Sequence, residues 1–309
     1  MRHRSLLSGM LVLGACFSSK GSGIAPGPTP PATAAIDYTA TIADPLGFLP
    51  LDSELVLGVD GDQIRKSALW SAIAPRVEAS PELAKFKQEC GFDPTATLHH
   101  VRTGLRVIDG DQAEGVIVAG GLDRARLMAC AEKMDAADQT LEVDRGVVRI
   151  TTPGGPIVVM TFVDASTVVA QFSKTATRQS LLDLLARGTP LRASTVFVAM
   201  LGEVDLGATL WGFANGTSTM FDQVRAMGVT PSAVFGSVKL TPGVAASVHV
   251  RLESPDAAST LAASAQGQLG MAAAFFDKLT VVAQGADLVV TATMSDDQVQ
   301  NLIGLMGGI

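Results

Sequence analysis

A stretch of this chain occurs twice. GFDPTATLHHVR, from Gly91 to Arg102, aligns without a gap on GVTPSAVFGSVK, from Gly228 to Lys239. Gly, Pro, Ala and Val match outright, and Thr/Ser, Leu/Phe and Arg/Lys match in kind. The glycine suits a helix C-cap at positive φ, and the proline blocks the helix from continuing before a strand begins. Two explanations fit: a duplicated unit, or two independent helix-to-strand junctions that need the same residues. Duplication is the expectation, because the elements around the two stretches run in a similar order.

In the first half, Leu55–Asp60 reads as a buried strand. Ser80-Pro81 opens a helix over 82–90, which Gly91 stops. Strands are expected over 97–107 and 114–119, a helix over 122–134 with Asp123 as N-cap, four strands between 141 and 172, and a helix over 175–186. The second half gives a strand over 209–214, a helix over 220–227, hairpins over 233–252 and 279–294, and helices over 255–276 and 297–306. The fold class expected is α+β, with antiparallel sheets in two related units, 41–190 and 191–309, each sheet covered by helices on one face.

The N-terminus carries an address. Arg2 and Arg4 precede the apolar stretch 6–13, which is too short to span a bilayer, and Leu13-Gly14-Ala15-Cys16 follows. This run resembles the signal peptide and lipobox of bacterial lipoproteins. The resemblance implies cleavage before Cys16 and a diacylglycerol on its thiol, with residues 1–16 as the signal. Residues 17–40, rich in Gly, Ser, Pro, Ala and Thr, would then form an extended tether of up to roughly 60 Å. Phe17 stands where an aspartate would retain such a lipoprotein in the inner membrane, so the outer membrane, facing the periplasm, is the expected location. Leu49-Pro50-Leu51-Asp52, just before the first apolar strand, is similar to a stretch of uncharacterised exported lipoproteins, which implies no activity.

Composition narrows the partners. The net charge of −7 becomes −9 once Arg2 and Arg4 leave with the signal, and aromatics are only 5%, with one tyrosine, Tyr38. An acidic surface without stacking rings is unsuited to nucleic acid.

Few residues offer chemistry. Cys90 and Cys130, on two helices of an exported chain, are expected to form a disulfide, the alternative being two buried free thiols. His99 and His100, adjacent on a strand, point to opposite faces and cannot share an ion, while His249 alternates within SVHVR. Asp109/Asp111 and Asp296/Asp297 fall where turns and helix starts favour aspartate. No catalytic, cofactor or metal residue is therefore assigned, and the three histidines are not expected to converge. The leading expectation is a non-catalytic, lipid-anchored binding or scaffolding module of the cell envelope, held to the membrane by lipid on Cys16. An envelope protein is its expected partner. The alternatives are an envelope hydrolase whose site assembles only in the fold, or a carrier of an apolar ligand. Leu269, Met271, Phe275 and Phe276 would form the carrier's wall.

Overall fold

The computed structural model describes residues 44–109, 112–131, 139–187, 191–240, 242–267 and 269–306. The expected signal, Cys16 and the whole of the expected tether lie outside them, as does Asp111.

Apolar and β-branched runs form the strands, named here in chain order: β1 (Leu55–Asp60), β2 (His100–Asp109), β3 (Gln112–Gly120), β4 (Thr140–Asp144), β5 (Val147–Thr151), β6 (Ile157–Phe162), β7 (Thr167–Ser173), β8 (Leu210–Asn215), β9 (Ala233–Lys239), β10 (Val244–Arg251), β11 (Lys278–Gln284) and β12 (Asp287–Met294). The helices are α1 (Gly61–Arg65), α2 (Ala68–Glu78), α3 (Pro81–Cys90), α4 (Pro94–Thr97), α5 (Arg124–Ala131), α6 (Arg178–Ala186), α7 (Thr195–Leu201), α8 (Asp222–Ala226), α9 (Pro255–Gln266), α10 (Leu269–Ala273) and α11 (Asp296–Met306). The caps read from sequence act as such. The Ser80 hydroxyl accepts from Leu83 N, Asp123 from Arg126 N and Ser254 from Ala257 N. Gly91 and Gly228 take φ of 71° and 84°, the left-handed turn that ends a helix.

The fold is α+β and its strand pairs are antiparallel, as expected. The expected separate sheets are one. All twelve described strands join in the order β11-β12-β10-β9-β8-β1-β2-β3-β7-β6-β5-β4, because β1 pairs with β8 along its free edge, Leu55 opposite Ala214. Counting outward from that central pair, β1-β2-β3-β7-β6 and β8-β9-β10-β12-β11 run in the same order. The hairpin β4–β5 extends the first half alone.

Both faces are covered, where helices on one were expected. Alternation along each strand feeds two sets of clusters. One face carries Val56, Val116, Val118, Val169, Trp211, Phe213 and Phe235, packed with α6 through Leu181, Leu184 and Leu185 and with α7 through Phe197 and Met200. The opposite face packs α5 on β3, β6 and β7 through Leu127, and α9 on β11 and β12 through Ala262. Trp211 lies flat across Gly58 of the neighbouring strand, where any Cβ would overlap the indole.

Three element readings shift. The 255–276 helix breaks into α9 and α10, and the 220–227 helix is a 3-10 turn, Thr219–Phe221, followed by α8. Residues 97–99 precede β2 instead of belonging to it, because Pro94 starts the short α4. Helices α2 and α7 were not foreseen.

Cys90 on α3 and Cys130 on α5 are bridged, with Cα atoms 4.7 Å apart, inside a small cluster with Phe86 and Phe92. The two rings meet edge to face at 5.1 Å.

Candidate functional site

The strongest gathering of polar side chains lies on the α7-covered face. Alternation on β10 puts Ser247, His249 and Arg251 there, beside Phe235 of β9. Arg251 stands opposite Asp287, the first residue of β12. Its Nε and Nη2 donate to the two oxygens of Asp287, each at 2.8 Å, and Nη2 also donates to Glu203 at 2.8 Å. Glu203 comes from the loop after α7, so the network ties that loop to the sheet. The guanidinium lies 4.9 Å from the Phe235 ring, which also stacks on the His249 imidazole at 4.9 Å and 16°.

Electrostatics follow from the geometry. Hydrogen bonds from Arg251 hold the Asp287 carboxyl below the usual carboxylate range against the opposing effect of its burial. The two carboxylates in turn raise the Arg251 guanidinium. His249 Nδ1 lies 3.6 Å from Asp287, too long for a hydrogen bond, and has no partner among the described residues. Its Nε2 lies 3.4 Å from Ser247 Oγ.

Two chemistries suggest themselves. Oxygen and nitrogen atoms of Glu203, His249 and Asp287 lie within 4.8 Å of one another, close enough for a metal ion. The residues do not fit one as they stand, since Arg251 already bonds both carboxylates and would place its charge beside a divalent ion's. Ser247, His249 and Asp287 are also the residue types of a hydrolase triad, with Nε2 of the imidazole toward the serine and Nδ1 toward the aspartate. Here, though, Asp287 gives both oxygens to Arg251, and the serine sits within a strand. Sequence reasoning missed this cluster.

The other histidines go separate ways. His99 Nδ1 meets Asp62 at 2.9 Å on an exposed edge, and that contact is the leading cause of Asp62's lowered pKa. The His100 ring lies over Gly120, and burial lowers its pKa. Asp296 stands in the first turn of α11, where a helix start was expected, but its carboxylate accepts from Gly243 N in the distant β9–β10 turn.

Cavities are small. One of about 20 Å³ lies under α5 between Leu127, Met128, Val148, Met160 and Phe162. A second, about 100 Å³, is a cleft where the Leu49–Asp52 stretch meets α7, lined by Leu51, Asp52, Ser53 and Glu54 on one side and by Leu191, Ser194, Val196 and Phe197 on the other. Both fall short of the ~300 Å³ of an ordinary small-molecule site. Leu269, Phe275 and Phe276 of the proposed carrier wall are not among the residues lining either: α9 packs directly on β11, and Phe275 is half exposed beyond α10.

With this geometry in hand, the chain can be set beside known structures. Crystal forms III, I and IV of TP0453 match it with TM-scores of 0.54, 0.51 and 0.55. The alignments cover 84% of this chain and 96–97% of TP0453, at 11–12% identity. The likeness is one of fold. No protein family and no curated protein matches the chain.

Proposed function

We propose that the protein is a lipid-anchored, non-catalytic module of the cell envelope that binds another envelope protein at the cleft beside Leu49–Asp52. One observation carries this reading: two large apolar side chains, Leu51 and Val196, stand about half exposed on either side of that cleft. A protein partner seated on this depression would cover both side chains and pair with its polar lining. The lipobox-like run ending at Cys16 supports the anchor, and Phe17 after it supports an outer-membrane location. The shared strand order of the halves supports duplication, which residues 91–122 superposing on 228–252 would test.

A photo-crosslinking amino acid at Val196 tests the binding reading in cells. It should trap one discrete partner, while the same probe at Val143, exposed on the far edge strand β4, should trap none. Equal trapping at both positions, or none at Val196, refutes it.

The closeness of Ser247 Oγ to His249 Nε2, at 3.4 Å, with Asp287 on the far side of the ring favours a second reading, an envelope hydrolase. If Ser247→Ala abolished an ester or amide hydrolysis measured on the purified protein, that reading would replace the first.

A further inference from the structure

The cleft between Leu49–Asp52 and α7 contains one group whose chemistry the protein leaves incomplete. Glu54 leads into β1, its N–H donating to Leu105 O and its carbonyl accepting from Asn215 N. The register therefore sets its side chain between Arg106 of β2 and Asn215 of β8. Glu54 Oε2 is shut off from bulk solvent and has no hydrogen-bond partner among the described residues.

Its cationic neighbour is already committed. Arg106 donates to Asp52 at 3.1 Å and to Glu114. Asn215 Oδ1 accepts from the backbone and hydroxyl of Thr217. The Ser53 hydroxyl donates to Pro50 O, and Ser194 Oγ caps α7 by accepting from Phe197 N. Three carboxylates, Asp52, Glu54 and Glu114, thus face a single guanidinium. A buried carboxylate oxygen without a donor is costly. A water could donate to it but would leave the negative charge unbalanced.

The remaining walls, Leu191, Val196, Phe197 and Phe213, are apolar and offer nothing to a hydrated metal ion. They suit methylenes. A space of about 100 Å³ holds a charged head and the carbons next to it. We propose that this cleft takes a primary ammonium on an alkyl stem, with Glu54 as its counter-ion. The proposal rests on the binding reading above and adds the chemistry that the partner presents there: a lysine side chain, or failing that a free amine.

Calorimetry on the purified full-length protein tests it with n-butylammonium, the neutral n-butanol, and Nα-acetyl-lysine methylamide. Saturable binding of butylammonium, at least tenfold tighter than butanol and at least tenfold weakened by Glu54→Gln, is expected. Val196→Trp, which fills the mouth of the cleft from an exposed position, should weaken it as much and covers the case of a Glu54 variant that fails to fold. Tighter binding of the lysine amide than of butylammonium assigns the ammonium to a protein side chain, and the reverse assigns it to a free amine. Equal binding of butanol, undiminished binding in Glu54→Gln, or no binding of either cation overturns the proposal. Crosslinking at Val196 that survives Glu54→Gln would reject the ammonium while leaving the binding surface in place.

Discussion

Replacing Arg251 by Met should be among the most damaging single changes on the sheet. Asp287 is only 8% exposed and receives both of its charged hydrogen bonds from Arg251, whose own side chain is 29% exposed. Removing one partner of a fully buried pair costs about 3–5 kcal/mol, largely from the charge left behind. Because Arg251 is partly open and Glu203 is 40% exposed, the lower end applies, about 3 kcal/mol. In a body of this size that is roughly 6–12 °C in melting temperature. Urea unfolding of the wild type, Arg251→Met, Asp287→Asn and the double variant measures the pair directly, and the double variant should recover at least ~1.5 kcal/mol of the summed single losses. The pH dependence has a fixed sign. Asp287 has a depressed pKa when folded, so its contribution is fully present above an unfolded value of about 4 and is lost as pH falls through the folded value. The gap between wild type and Arg251→Met should therefore be widest at neutral pH and close on acidification. A neutral-pH cost below ~1 kcal/mol, or strictly additive variants, would refute the reasoning.

Removing the Cys90–Cys130 bridge, whose ends are 40 residues apart, should cost up to about 4 kcal/mol on the chain-entropy account, seen as a lowered urea midpoint for the double serine variant; an unchanged midpoint would contradict it. Gly58→Ala drives a methyl into the Trp211 ring and should destabilise by about 1–3 kcal/mol, with altered near-ultraviolet dichroism from the displaced indole. Cys16→Ser should yield an unlipidated protein that no longer fractionates with membranes, whereas an unmodified N-terminus elsewhere in the native protein, found by mass spectrometry, would remove the anchor.

What the sequence makes legible is local. Ser80-Pro81, Gly91, Asp123 and Ser254 mark helix ends because a cap is satisfied within four residues. The strands show because alternation or a short apolar run is a property of one segment. The joining of the halves is invisible, since nothing in LVLGVD or LWGFAN says that β1 and β8 will pair. The polar cluster escaped for the same reason. Ser247, His249 and Arg251 share a face by simple alternation, but Asp287 reaches them only through the β10–β12 register, and Glu203 through the placement of a loop. A charged residue opening an otherwise apolar strand, as Asp287 does after the Gly285 turn, was the available signal. Helix α7 was missed because its residues, TVFVAML, are β-branched and apolar enough to pass for a strand.

The central pairing also bears on how the chain assembles as it is made, N-terminus first. β1 can dock on β2 early, but its other edge waits for β8, which follows only after the whole first half has been delivered. Until then an apolar strand with unsatisfied amides lies open to any passing chain. The two halves are thus unequal in time: the first must be kept from pairing with strangers, and the second arrives as its shield. A fragment ending before residue 191 would expose the middle of the sheet as a new edge, and aggregation, not a smaller soluble domain, is the outcome its topology dictates.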